Sequence, residues 1–328
     1  MLFLPPAARP LRDAVALGPA LLDRARAEVA PILAASLFEG PAVVLGAAQR
    51  AGRVVDLAAC AAAGVPVLRR ATTGVAVHLG GRGALFTLAL PRLAALAPDT
   101  APRSLLNRNV RGFLKGFARA GALAHYFGRE WISVRHRPAA VLGVEAPEDG
   151  AALLEVWAGH DAPPSLPAAL AAEEERALAD HRWQGKQPAA LAELLPAHVS
   201  LADLCTAVIE AVARQGAASL VEIAPPPIDP APFAPITDPL DPLPAGHAPV
   251  VLERAPIGWI EAAREAAREA PPTRAPGVWI GGDVMTGRWV LERIGGDAEA
   301  PLDPDGVVLD GATLEDLRRL TRLARERQ

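Results

Sequence analysis

Residues Val67 to Gly83 read Val-Leu-Arg-Arg-Ala-Thr-Thr-Gly-Val-Ala-Val-His-Leu-Gly-Gly-Arg-Gly. An arginine pair precedes a turn of small and hydroxyl-bearing residues, and the apolar run Ala84 to Leu90 follows directly. Such a loop brings backbone N–H groups close to a phosphate or carboxylate while a guanidinium supplies charge and a fork of donors. Side chains alternate along a strand, so only one of Arg69 and Arg70 faces a given pocket. His78 closes the segment; by type it is a base or a ligand contact, or equally an imidazole at a strand end satisfied by backbone. A basic hairpin with ordinary turn glycines has the same composition, so the loop by itself leaves both readings open.

The rest of the chain limits what this loop serves. Its 328 residues, 51% of them hydrophobic, suffice for one large domain with a substantial core and a smaller unit. A net charge of −4 gives no electrostatic footprint for nucleic acid. Positive charge is almost all arginine, because lysine occurs only at Lys115 and Lys186. Cys60 and Cys205 lie in alanine-rich helical contexts and read as buried thiols, and no CxxC or HExxH spacing suggests a metal. The start, Met1-Leu-Phe-Leu-Pro-Pro, lacks the basic region of a signal peptide, and no run of about 18 uncharged apolar residues is present. The expectation is a cytoplasmic protein with no membrane or nucleic-acid partner.

Periodicity sets the elements that must hold the loop. Asp13 to about Ala35 has helical spacing; Ala42 to Gly46 reads as a buried strand; Val54 to Ala63 suits a short helix ended by a left-handed Gly64. Strands are expected at Val65 to Arg70 and Ala84 to Leu90, and an amphipathic helix at Ser104 to Ala122. Tyr126 to Val134 and Ala139 to Glu145 read as a strand pair joined across Arg135-His136-Arg137-Pro138, with a further strand from Gly150 to Trp157. Helices are expected at Leu166 to His181, Ala189 to Leu194 and Leu201 to Gln215, the last opened by Ser200 with Asp203 as an acidic capping box. Ten prolines between Ala224 and Pro249 favour an extended linker, 224–249, between a domain over 1–223 and a small α+β unit over 250–328. In that unit Pro256 to Arg268 and Thr313 to Arg327 read as helices, and Val278 to Gly281 and Arg288 to Ile294 as strands. Strands joined by short turns, mixed with single helices, predict an α+β fold with a mixed, partly antiparallel sheet.

With these elements in order, Asp13 to Ile223 resembles the lipoate- and octanoyl-protein ligases and transferases, relatives of biotin protein ligase. Glu39-Gly40-Pro41-Ala42-Val43-Val44-Leu45-Gly46 with Gln49 resembles the family's first strand and its Gly-Arg-x-Gln turn. Arg69 to Val77 is similar to its Arg-Arg-x-Ser-Gly-Gly-Gly-Ala-Val motif. Leu106-Asn107-Arg108-Asn109-Val110 resembles a helix start found there, Gly128-Arg129-Glu130-Trp131-Ile132 stands at its Gly-Arg-Asn-Asp-Ile, and Leu191 to Leu195 matches the end of the domain. The resemblance implies a biotin/lipoate ligase-like, class II synthetase-like fold. It implies a lipoyl or octanoyl ligand carried as thioester or acyl-AMP (with ATP and Mg), apolar walls around the acyl chain, and a lipoyl carrier domain as protein partner. It places Arg70, Thr72, Thr73, Gly74 and Arg129 at the substrate, and His78, directly after the motif, and Arg137, from the adjoining turn, are added as substrate-binding candidates.

The same resemblance exposes departures. The family's lysine, which binds the reacting carbonyl or phosphate oxygens, falls on Ala140 in Ala140-Val141-Leu142-Gly143, so no catalytic residue is assigned. Losing one such donor typically costs about 100- to 1000-fold in rate. Arg135 or Arg137 from the adjoining turn, or Lys186 from a distant loop, are the cations left to replace it. Thr73 and Val75 stand at two motif glycines, Trp131 at a small carboxylate, and Ala47 at the arginine of the first turn. Two functions follow: an acyl ligase or transferase acting on a lipoyl carrier domain, or a non-catalytic descendant that binds an acyl group or a partner protein as subunit or regulator.

Overall fold

The structure is a computed structural model. It describes residues 1–238 except 48, 50, 101–103, 128–130, 146–149, 174, 177, 178, 180–182 and 184, and beyond 238 the backbone of three strands. Its centre is an eight-stranded mixed sheet built from β1 (Leu2–Ala8), β2 (Ile32–Phe38), β6 (Gly83–Leu90), β7 (Ala124–His125), β8 (Trp131–Val134), β9 (Arg137–Glu145), β10 (Ala152–Gly159) and β11 (Val221–Glu222). The strand order is β11-β1-β2-β6-β10-β9-β8-β7. β1 runs parallel to both its neighbours, and every other pairing is antiparallel. A second, three-stranded sheet of β3 (Pro41–Leu45), β4 (Val67–Arg69) and β5 (Val77–Gly80) carries the ends of the arginine loop. The α+β reading holds; this smaller sheet is an addition to it.

The two faces of the large sheet bury different layers. On one, helices α4 (Leu105–Arg119) and α6 (Leu201–Gln215) cover Phe86, Leu142, Val144 and Val156 with Phe113, Phe117, Leu204 and Val208. On the other lie α1 (Leu11–Glu28) and the small sheet. There Ala14 and Val15 pack with Val44, Val77, Leu85, Trp131, Val141, Trp157 and Trp183. Alternation along the strands separates the layers: in β10, Leu154 and Val156 face the helices, and Leu153 and Trp157 face α1 and the small sheet.

Several expectations need correction. The helix expected over 13–35 is α1 followed by β2: Val29 takes the left-handed conformation at φ 50°, ending the helix, and Ile32–Phe38 is a central strand buried on both faces. The alanine- and leucine-rich run carries no period that separates the two states, and the local break signal is Pro31, immediately before β2. β1 was masked in sequence by Pro5-Pro6, which sit where its register against β2 shifts, a place where a proline costs no ladder bond. The helix expected over 54–63 is α3 (Leu57–Ala62), which starts late because Asp56 accepts the Ala59 N–H at 2.9 Å as an N-cap; a separate short helix, α2 (Ala51–Val54), precedes it. The expected left-handed Gly64 is present. Within Tyr126 to Val134 the described strand is β8, with β7 lying just before Tyr126, and Leu166 to Ala172 forms turns and a single bridge between Ala171 and Val55 in place of the start of a helix.

The capping box of α6 is formed, with Asp203 N–H donating to Ser200 Oγ at 3.1 Å and Ser200 N–H to Asp203 Oδ2 at 2.9 Å. Residues 224–238 lie against the body, extended except for one 3-10 turn at Ala231–Phe233. Arg24 and Arg12 donate to the carbonyls of Ala224 and Pro230, and Ile236 is buried beside β4 with its N–H on the Val67 carbonyl. Past residue 238, β12 (Val278–Asp283), β13 (Arg288–Arg293) and β14 (Val307–Leu309) form an antiparallel sheet. The helices expected at 256–268 and 313–327 fall outside the described residues.

Candidate functional site

The arginine loop runs from β4 to β5 and lies flat on the large sheet. Its middle, at Thr73, is fastened twice to one strand: the Thr73 N–H and hydroxyl donate to the Val144 carbonyl at 2.9 and 2.7 Å. Gly74 then turns at φ 104°, a conformation that disfavours any side chain with a Cβ. Close approach needs Gly143 as well, since a Cβ there would stand 2.3 Å from Thr72 Oγ1. The two arginines do point different ways. Arg69 Nη1 donates to the carbonyls of Gly46, Ala47 and Gln49, holding the turn after β3. Arg70 points between the sheets.

Arg70 is 1% exposed, and its guanidinium is committed to the protein itself. Nη2 donates to the carbonyls of Thr73 (3.1 Å) and Val75 (2.8 Å), Nη1 to that of Val44 (3.3 Å), and Nε to Thr72 Oγ1 (3.0 Å). Thr72 in turn donates to Glu155 Oε2 at 2.6 Å, and the Trp157 indole N–H reaches the same oxygen at 3.1 Å. Arg70 Nε and Glu155 Oε2 lie 3.9 Å apart, both side chains fully buried. Burial pulls the Arg70 guanidinium down to about 10, which leaves it protonated at neutral pH, and Glu155 supplies the opposing pull. Burial pushes the Glu155 carboxyl up against the restraint of Arg70, Thr72 and Trp157.

Sequence reasoning passed over Glu155. The available signal was a single acid in the middle of Ala151-Ala-Leu-Leu-Glu-Val-Trp-Ala158, a position that a strand buried on both faces fills only with a partnered charge.

The other candidates are dispersed. His78 pairs with Val43, whose side chain lies in the cluster of Val67 and Cys60 on the outer face of the small sheet, away from Val44 and Arg70. Arg137 closes a 2.7 Å ion pair with Glu193 and donates to the carbonyls of Gln187 and Pro188, so it braces the segment before α5 (Leu191–Leu194). Arg129 is outside the described residues. Ala140 belongs to the helix-side layer with Leu142 and Val144, whereas Val141 and Gly143 face the arginine loop. Strand parity thus puts Val141, the residue after Ala140, on the loop's face. A register shift between Ile132 and Ser133 on β8, opposite this stretch, lets Ala139 and Ala140 both enter the helix-side layer.

The space over Val141 is occupied by large side chains. Trp131 and Trp157 are 2% and 0% exposed, the Trp131 and Trp183 rings lie 5.7 Å apart at a tilt of 55°, and Phe38 lies 6.3 Å from Trp157. Trp131 Nε1 donates to Ser133 Oγ at 3.1 Å, which satisfies the indole inside the layer. Among the described residues no group of three His, Cys, Asp or Glu is placed to hold a metal ion, and no helix is long and apolar enough to cross a membrane.

Solved structures locate this architecture. A bi-partite lipoate protein ligase from the archaeon Thermoplasma acidophilum superposes with a TM-score of 0.54 at 16% identity, over 68% of this chain and 88% of that one. The fold is that of the lipoate-protein ligases. A lipoate-protein ligase A bound with ATP gives 0.53 at 18% identity over 68% and 88%, and the lipoate complex of LipL1 from P. falciparum gives 0.51 at 16% over 67% and 66%. No protein-family model matches the chain, and no curated protein matches it in sequence. The ligase fold is thus kept where sequence identity is low, and within it the loop similar to the Arg-Arg motif is closed on a carboxylate of its own strand β10.

His78 provides a test of the small sheet. Burial lowers its imidazole below the usual 6.5, so on acidification the unfolded chain takes up its proton first. Stability then falls as pH drops through that range. The thermal midpoint is expected to decrease between about pH 7.5 and about pH 5.5, and His78→Gln to make the decrease smaller. An unchanged pH slope in the variant would place the imidazole in water.

Proposed function

We propose that this chain is a non-catalytic member of the ligase fold, acting as a binding subunit or regulator in lipoyl metabolism with a lipoyl carrier domain as its partner. The observation that carries this reading is Arg70: its donors go to three backbone carbonyls and Thr72, and its charge faces Glu155. An acyl-adenylate needs those donors and that charge at its phosphate. The residues present do not fit that group. Two further features support the reading. Val141 and Gly143, the β9 positions that face the loop, carry no ammonium, and Trp131, Trp157 and Trp183 fill the apolar layer beside the loop. A filled layer favours a protein partner over a free acyl group.

The fold alone suggests the other reading, an acyl ligase or transferase, and one experiment separates them. The purified chain is titrated calorimetrically with octanoyl-AMP, and separately incubated with octanoate, ATP, Mg and an apo lipoyl domain whose mass is then measured. The expected results are no adenylate binding, an unmodified lipoyl domain, and a complex between the two proteins in sedimentation. Adenylate binding or an octanoyl mass increment on the domain would overturn the proposal.

A further inference from the structure

The polar groups around Glu155 form a set with one chemical character. Thr72 Oγ1 accepts from Arg70 Nε, so its own proton is directed at Glu155 Oε2. The Trp157 indole is a donor only, and the guanidinium is a donor only. Three donors therefore converge on a single oxygen, two within hydrogen-bond distance and the third as a charge 3.9 Å away. Backbone approaches from both sides without side chains: a Cβ at Gly143 would meet Thr72 Oγ1 at 2.3 Å, and one at Gly18 of α1 would meet Glu155 Oε1 at 3.0 Å. Glu155 Oε1, the second carboxylate oxygen, has no hydrogen-bond partner among the described residues. Neither has Thr87 Oγ1, directly opposite it across β6 and β10.

We infer that Arg70, Thr72 and Trp157 form an oxyanion site whose occupant is the protein's own Glu155 carboxylate, and that a carboxylate of acetate size binds there once that side chain is removed. The inference deepens the proposed function, on which it rests for the loop's ancestry: the site is lost to external ligands because a tethered anion fills it. A group fixed on a neighbouring strand has already lost its translational and rotational freedom, so it outcompetes a free anion that must lose that freedom on binding. The unmatched oxygen is what a guest leaves in a cradle built around one oxygen position.

Glu155→Ala removes the guest and keeps the donors. With sodium acetate as the probe, and acetamide and sodium chloride as controls, the variant should show a saturable rise in thermal midpoint. Its acetate affinity should exceed that of the wild type and of Arg70→Met/Glu155→Ala by roughly ten- to a hundredfold, the worth of one charge-assisted hydrogen bond. If Glu155→Ala does not fold in chloride, its refolding yield in acetate against acetamide makes the same measurement. An acetate response equal to that with acetamide, by either readout, or equal in the wild type, overturns the inference. Failure here leaves the proposed function standing, whereas octanoyl-AMP binding by the wild type would remove that proposal and leave the cradle to be judged by acetate alone.

Discussion

Arg70→Met is expected to cost about 3–5 kcal/mol of folding stability, the size seen when one partner of a buried ion pair is removed. The loss has two sources. The carbonyls of Val44, Thr73 and Val75 and the hydroxyl of Thr72 lose donors inside a water-excluded layer, and Glu155 loses its counter-charge. A carboxylate in that position takes up a proton instead of remaining ionised. Its folded pKa, already raised by burial, then moves further above the unfolded value. The folded variant therefore holds a proton that its unfolded chain has released, so its stability falls as pH rises from the carboxylate range towards neutrality. Urea denaturation at about pH 5.5 and about pH 7.5 should show the larger deficit at the higher pH. Arg70→Met/Glu155→Gln should recover much of it, because exchanging a whole buried pair for neutral groups is often nearly neutral. A single variant that loses under about 1 kcal/mol, the scale of an exposed ion pair, would mean that the guanidinium faces solvent or a ligand.

How far the sequence disclosed this molecule follows from the kind of signal each part leaves. The amphipathic stripes of α4 and α6, the Ser200–Asp203 cap and the strands at 42–46 and 84–90 were legible because each is a local pattern with a local cause. The arginine loop was legible as a cluster of donors, an order of arginines, threonines and a glycine that an anion-binding loop and a basic hairpin share. Its state was not. Whether Arg70 meets a ligand or a protein carbonyl depends on Gly143, Thr72 and Glu155, and Glu155 is more than eighty residues away along the chain. The same limit explains β2, which reads as helix until β6 and β1 are seen to sandwich it, and His78, whose distance from Arg70 depends on which face of a three-stranded sheet it occupies.

Parity along β9 yields the second large effect. Ala140→Lys, the substitution that would reinstate a lysine by residue counting, is expected to place an ammonium in the helix-side layer among Ile132, Leu142 and Val144. Fully buried lysines have pKa values depressed by up to 3–5 units, which at neutral pH corresponds to roughly 4–5 kcal/mol, because a lysine with a folded pKa below about 7 is already neutral there, before the cost of overpacking is added. The variant should unfold at far lower urea and gain no acyl transfer to a lipoyl domain. Val141→Lys is the informative comparison. It is buried as deeply, but it lies on the face of the sheet that carries Glu155, diagonally across the β9–β10 pairing in which Glu155 opposes Gly143 and Trp157 opposes Val141. Diagonal positions of this kind lie within reach of a long side chain. Its ammonium can therefore draw on the Glu155 carboxylate, and its loss of stability should be the smaller of the two. Adding Glu155→Gln to each isolates the effect: the difference between the two lysine variants should shrink, because only Val141→Lys had a charge to lose. Equal losses in all four backgrounds would place both lysines in one environment and refute the assignment of faces, and with it the separation of Ala140 from the arginine loop.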